Sequence, residues 1–397
     1  MKIAYLLPDP GIPVGGTKGA SVHVSSLCKA LVANGAQITL FAPTVVGPAP
    51  VGVRLVQVDV GRVASGPRGE RERILAMETF YAKVRSHLEI QPTDIIHERL
   101  SLFAGGGTLL AQQLGVARQV EINAPVADER AKHFGLSETA AAHSAERGAL
   151  DGARTLVVSA PLARWAKRKG AKTAVVLPNG ADIAALDPAI LAGQRQRMRE
   201  FLKLKDLPTV GFVGSLKPWH GLDVLLDALA ELGKDRDLAA LIVGDGPGKD
   251  DLLSKAAKLP SRVKIVITGA IAPHLVPGYL SVIDVAVAPY TPMEPFYFSP
   301  LKVAEAMAGG LAVVASDFES VRDLLGSTGQ TVTPGDASAL AKAVADLLDD
   351  PEKRSQLGRK ARERAVELLD WRSVGRMTLN HARSTHADYR ASQRTAR

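Results

Sequence analysis

The residues from Phe296 to Gly310, Phe-Tyr-Phe-Ser-Pro-Leu-Lys-Val-Ala-Glu-Ala-Met-Ala-Gly-Gly, join an irregular polar loop to a helix predicted to begin near Pro300. A helix that starts after such a loop turns free backbone N–H groups and the positive end of its dipole toward an anion. Lys302 in the first turn adds a phosphate partner, and Glu305 one turn later adds an acceptor for sugar hydroxyls. Ser299, Pro300, Leu301, Lys302 and Glu305 together describe a seat for a nucleoside diphosphate.

Other loops carry compatible chemistry. Gly214-Ser215-Leu216-Lys217-Pro218-Trp219-His220-Gly221 runs from an apolar stretch into a helix, and Lys217 and His220 are within reach of an anion at that helix start. Gly244-Asp245-Gly246-Pro247 is a tight turn, and Thr268-Gly269-Ala270-Ile271 offers backbone groups to the edge of a base. Near the start of the chain, glycines 15, 16 and 19 precede a helix and allow the backbone to approach a ligand closely. Their spacing is not the Gly-x-Gly-x-x-Gly of dinucleotide binding, and the second strand ends in Phe41-Ala42-Pro43 rather than in an acid. Both facts disfavour NAD. Glu121 and Asn123 end an apolar run with polar groups, whereas His97 beside Glu98 reads as a hydrogen-bonded structural residue. No Cys, His or carboxylate group has metal-ligand spacing, so no metal is expected.

These residues need strands that end in loops. Short β-rich runs alternate with helical stretches, with strands predicted at 3–8, 37–43, 54–60, 94–98, 118–123, 155–159 and 174–178, then at 209–214, 240–245, 263–269, 284–290 and 311–316. The pattern predicts an α/β chain of two tandem Rossmann-like domains, with ligands at the carboxyl ends of the strands. No strand pattern survives from Asp182 to Pro208, so the domains are assigned as 1–187 and 188–370. The last segment, 371–397, is a helix with a basic tail, and two further helices are predicted at 337–349 and 351–368.

At 397 residues, with 46% hydrophobic and 23% charged, the chain has the composition of a globular protein with two cores. The lone cysteine, Cys28, excludes an internal disulfide, fits a reducing cytoplasmic compartment and reads as a small core residue. The most apolar long window, Val263 to Tyr290, is broken by lysine, proline, histidine and aspartate, which argues against a membrane span. Net charge is +8, made up of +5 over 1–187, −2 over 188–370 and +5 over 371–397. A basic first half and tail suit peripheral contact with an anionic membrane. Aromatic residues do not alternate with the charges as a nucleic-acid groove requires, so no nucleic acid is expected.

The order of these motifs resembles the retaining glycosyltransferases of family four, which have the GT-B fold. The matching residues are the glycine loop leading into Lys18-Gly19-Ala20-Ser21-Val22-His23-Val24, then Pro178-Asn179-Gly180-Ala181-Asp182, Gly214 to Gly221, Gly244-Asp245-Gly246-Pro247 and Ser299 to Gly310. The resemblance covers residues 1 to about 380 and implies two domains facing across a deep cleft, with the last helix crossing back onto the first domain. It implies transfer of a hexose from a UDP-sugar or GDP-sugar to a hydroxyl acceptor, with retention of configuration and without a metal or other cofactor.

On that resemblance the donor is expected to touch Gly16, Gly214, Ser215, Lys217, His220, Gly244, Gly269, Ile271, Tyr297, Ser299, Pro300, Leu301, Lys302 and Glu305. The acceptor is expected at Lys18, His23, Glu121 and Asn123, with catalysis carried by Lys217, Lys302, Glu121 and Asn123. Four positions depart from the family pattern. Tyr297 stands where the first of two glutamates is common, Ser215 and His220 where an arginine and a lysine clamp the diphosphate, and Asn123 where many members have a histidine. The same fold also serves nucleotide-sugar epimerases, sugar-phosphate synthases and catalytically silent sugar-nucleotide-binding subunits.

Overall fold

A computed structural model describes residues 1–63 and 66–395. The chain forms two compact units, one made of Met1–Pro178 with Arg372–Arg397 and the other of Asn179–Trp371.

The first unit is built on seven strands: β1 (Lys2–Leu6), β2 (Gln37–Ala42), β3 (Val53–Gln57), β4 (Ile95–Arg99), β5 (Ala117–Ile122), β6 (Arg154–Val157) and β7 (Ala174–Val176). They lie in the order β3-β2-β1-β4-β5-β6-β7 and every pairing is parallel. Strands β4 and β5 are buried at every residue although they carry His97, Glu98, Arg99, Arg118, Gln119 and Glu121; their charges are paired, Arg118 Nη1 donating to Glu98 at 2.6 Å and Arg99 Nη1 to Glu121 at 2.8 Å. Helix Trp371–Thr395, the last in sequence, packs here through Val374, Leu379 and Ala382. Gly375 makes the approach close, since a Cβ there would stand 2.6 Å from that of Ala30.

The second unit contains β8 (Thr209–Val213), β9 (Leu238–Val243), β10 (Val263–Ile267), β11 (Val285–Ala288), β12 (Ala312–Ser316) and β13 (Gln330–Val332). Their order is β10-β9-β8-β11-β12-β13, again parallel throughout. Apolar clusters cover the sheet, one around Phe212, Leu229 and Ile242 and another around Leu241, Met307 and Val313. In each sheet the strand order reverses once, between β1 and β4 and between β8 and β11. The crevice outside the carboxyl ends at such a reversal is where open α/β sheets bind ligands.

The predicted helices 337–349 and 351–368 occur as Ala337–Asp349 and Pro351–Leu368, and the last helix extends to Thr395. Strand β13 is not predicted; it is three residues long, has no fully buried member and pairs only through β12. No helix among the described residues is long and apolar enough to cross a membrane.

Candidate active site

At the reversal point of the second unit, the chain leaves β8 at Gly214 and β9 at Gly244, both with backbone angles that only glycine adopts readily, φ +149° and +145°. A side chain at 244 would collide with the Gly214 carbonyl, and a Cβ at 214 would lie 2.9 Å from Lys302 Cε. The two glycines therefore let the loops close on each other and leave Lys302 its room. Helix Leu301–Ala308, capped by Pro300, follows the loop after β11 and carries Lys302 and Glu305 in its first turns. Asn179 fixes that loop, its backbone N–H donating to Ser299 Oγ at 3.0 Å and its Nδ2 donating to the Ser299 carbonyl at 2.6 Å.

Lys302 Nζ is buried and has no hydrogen-bond partner among the described residues. Aromatic faces support it, Phe212 at 4.0 Å and Tyr290 at 5.1 Å from the ring centres. A ring quadrupole recovers part of the hydration an ammonium loses on burial, but not its hydrogen bonds. Burial pulls the Lys302 ammonium down to about 7, with the Glu305 charge opposing and Lys217 reinforcing. Glu305 is pushed up to about 7 by its own burial, against the pull of Lys302. His220 is held neutral, at about 2, by burial and by the Lys302 charge; its Nδ1 lies 2.6 Å from the Ser215 carbonyl. With Nδ1–H donating there, Nε2 is left as an acceptor.

Other expected donor residues stand around this group. Lys217 Nζ lies over the Trp219 ring at 4.7 Å, and Ser215 is exposed. Gly269 bridges Gly244 across the loops, and the half-buried Ile271 packs on the core. Tyr297 is 5% exposed and lies 4.4 Å from the Phe298 ring, within an aromatic wall that includes Tyr290 and Phe296. Gly16 belongs to the first unit, in the glycine loop before helix Gly19–Ala33. That loop folds against 45–47, where a Cβ on Gly15 would stand 2.5 Å from Gly47.

In the first unit, the carboxyl ends of β1, β4 and β5 converge on Glu121. Its carboxylate lies 2.6 Å from His23 Nε2 and 3.1 Å from His97 Nε2, and it accepts from Arg99 Nη1 at 2.8 Å and the Tyr5 hydroxyl at 3.0 Å. Asn123 Nδ2 also donates to it. Burial alone would raise the Glu121 carboxyl; His23, a hydrogen bond from His97 and the Arg99 charge outweigh it and hold the group well below the usual carboxylate range. Glu121 and His23 are 4% and 5% exposed, so these two expected acceptor contacts present no open face, because the sheet turns them inward onto each other. Asn123 is half-buried and Lys18 is exposed, its Nζ donating to the Gly11 carbonyl at 3.4 Å. His97 is fully buried between Glu121 and Gln119, as a structural histidine should be.

Sequence reasoning missed Phe212 and Tyr290 as supports of Lys302, and Tyr5 and Arg99 as partners of Glu121. An aromatic residue at or beside the carboxyl end of a central strand, as at 212 and 290, was the available signal for the first pair. Among the described residues no cluster of three or more His, Cys, Asp or Glu side chains is placed to hold a metal.

Two parallel Rossmann-like sheets in tandem are the architecture of the GT-B glycosyltransferases. The sucrose-phosphate synthase of Thermosynechococcus elongatus shares the fold with a TM-score of 0.77 at 24% identity, over 98% of this chain and 99% of that one. Residues 17–185 match the model of "Glycosyltransferase Family 4" and residues 207–350 that of "Glycosyl transferases group 1". A "GDP-mannose-dependent alpha-(1-6)-phosphatidylinositol monomannoside mannosyltransferase" of Mycolicibacterium smegmatis is 32% identical over 290 residues, 70% of this chain and 75% of that relative. A "Phosphatidyl-myo-inositol mannosyltransferase" of the same organism is 33% identical over 55% of this chain, a match that spans about half of that relative, 54%. The chain belongs to the group 1, family 4 glycosyltransferases.

Proposed function

We propose that the protein transfers a hexose from a nucleoside-diphosphate sugar to a hydroxyl acceptor, with retention of configuration and without a metal. The observation that carries this reading is Lys302: a buried, unpartnered ammonium at the amino end of a helix, with room made by Gly214 and with Glu305 one turn on. A diphosphate supplies the missing acceptors and gains the helix dipole as well. Negative charge grows on it as the glycosidic bond breaks, so Lys302 and Lys217 stabilise the transition state more than the bound donor. Glu305 takes the ribose hydroxyls, and Tyr297, in place of a glutamate and buried in the aromatic wall, backs the hexose side of the site without an open face. The leaving phosphate accepts the acceptor's proton on the face where the new bond forms.

On the first unit, Asn123 orients the acceptor hydroxyl, and Glu121 with its partners holds Asn123 in place. Lys18 extends the acceptor side. The enzyme works in the cytoplasm, and its basic first unit allows contact with an anionic membrane surface. The 32%-identical mannosyltransferase makes GDP-mannose the first donor to try, with UDP-glucose beside it.

The test is release of free nucleoside diphosphate in the presence of EDTA, with and without a panel of hydroxyl acceptors. Release that needs an acceptor, with a product of the donor's own anomeric configuration, supports the reading. A nucleotide sugar isomerised but left whole identifies an epimerase, and no turnover with intact binding identifies a silent subunit.

A further inference from the structure

At the opposite end of the second sheet from Lys302 lies a cavity of about 490 Å³. Its floor is Pro208, just before β8, and Asp284, just before β11; the five residues of β8 put it roughly 17 Å from the Gly214 loop. Three guanidinium groups line it. Arg195 and Arg199 come from helix Pro188–Phe201, and Arg354 from the first turn of helix Pro351–Leu368.

The charges do not cancel. Asp284 is used internally, accepting from Arg195 Nη2 at 2.6 Å and from the Thr209 backbone N–H at 2.7 Å. The other carboxylate lining the cavity, Asp206, is exposed, so three cations line the cavity against two carboxylates. Arg195 Nη1 donates to the Ser281 carbonyl at 2.7 Å and Arg354 Nη1 to the Leu347 carbonyl at 2.8 Å, which anchors both. Arg199 is 9% exposed and rigidly held, Nε and Nη2 donating to the Lys205 carbonyl at 2.9 and 2.6 Å and Nη2 to the Leu207 carbonyl at 2.7 Å. Its Nη1 is buried with no hydrogen-bond partner among the described residues. Burial, and the nearby Arg195 charge, pull the Arg199 guanidinium below its ordinary range. A pre-positioned guanidinium with one nitrogen unused, beside two others, suits the forked acceptors of a phosphate. The volume is that of a small-molecule pocket and far exceeds what a bare phosphate fills.

We propose that this cavity is a second ligand site, separate from the donor seat, that takes a phosphate monoester of sugar-phosphate size, its phosphate held by Arg199, Arg195 and Arg354. Arg362, on the same helix as Arg354, donates to the Ala308 carbonyl at 2.6 Å, so the helix that frames the cavity also touches the end of the Lys302 helix.

The experiment is calorimetric titration of the full chain with ribose 5-phosphate and with inorganic phosphate, on the wild type and on Ala192→Glu, Arg354→Gln and Lys302→Met. Ala192 is exposed on the cavity rim, so a carboxylate there opposes an anion without disturbing a core. The expected result is ribose 5-phosphate binding at least tenfold tighter than inorganic phosphate, weakened at least tenfold by Ala192→Glu and by Arg354→Gln, and unchanged by Lys302→Met. Absent binding, or wild-type affinity in both cavity variants, overturns the site. Loss in Lys302→Met alone assigns the phosphate to the donor seat, and equal affinity for the two probes leaves no role for the sugar; either result also overturns the proposal. None of these outcomes depends on whether the protein transfers a hexose.

Discussion

Lys302 and Glu305 stand three positions apart on one helix, and burial drives them toward neutrality from opposite sides until both titrate at about 7. A cation and an anion that both titrate near neutrality do not behave as a fixed ion pair. They form a site whose charge state a ligand sets.

A diphosphate seated at Lys302 should therefore draw a proton onto it. At pH 8, one unit above the Lys302 value of about 7, the ammonium is roughly nine-tenths discharged in the free protein, and binding should take up most of a proton. Calorimetry with UDP or GDP in two buffers of different ionisation enthalpy measures this. Identical apparent enthalpies at pH 8 would show that Lys302 does not meet the phosphates.

The same pair sets a pH dependence of stability without ligand. Glu305 binds a proton more tightly when folded, so its contribution is present at low pH and is lost as pH rises from the ordinary 4.5 through about 7. Lys302 binds its proton less tightly when folded, so stability returns as pH rises from about 7 toward 10.5. Melting temperatures should show a shallow minimum near neutrality from this pair, and Glu305→Gln should flatten its acid side.

Replacing Lys302 should trade function against stability. Lys302→Met removes a buried ammonium that lacks hydrogen bonds, so the ligand-free protein should melt about 2–4 °C higher, the equivalent of roughly 1 kcal/mol. Turnover should fall by about a hundredfold or more, with a smaller rise in KM, the mark of an interaction strongest in the transition state. A lower melting temperature with normal turnover would make Lys302 a packing residue.

Glu121 and Asn123 should separate cleanly. Glu121→Ala leaves the buried Arg99 without its counter-ion and the His23 and His97 rings without a hydrogen-bond partner, and should cost about 3–5 kcal/mol in stability, read by denaturant unfolding. Asn123→Ala, at a half-buried position, should cost less than about 1 kcal/mol while impairing transfer and sparing nucleotide affinity. Equal stability losses would mean that Asn123 is only another member of the buried network.

The alternation of apolar runs and helices carries most of this architecture, because strands covered on both faces are mostly apolar, as Leu238–Val243 is, while β4 and β5 stay buried by pairing their charges. The loop that runs into helix Leu301–Ala308 was legible for a local reason, since Ser299 to Glu305 lie side by side in sequence. Glu121 was not. Polar residues at a strand end look the same whether they face water or one another, and its partners Tyr5, His23, His97 and Arg99 come from positions 22 to 116 residues away. Strand β13 escaped because its residues, Gln330–Val332, have neither alternation nor an apolar run.

The first unit is assembled from the two ends of the chain, Met1–Pro178 and Arg372–Arg397, whereas the second is one continuous run between them. During synthesis on a ribosome, residues 179–371 therefore emerge complete and are free to fold before the first unit has its last helix. Until then the surface of helix Gly19–Ala33 around Ala30 waits uncovered, and the Asn34 Nδ2 that later donates to the Arg372 carbonyl at 2.9 Å has no such acceptor. The part of the protein that is translated first is the part that is finished last.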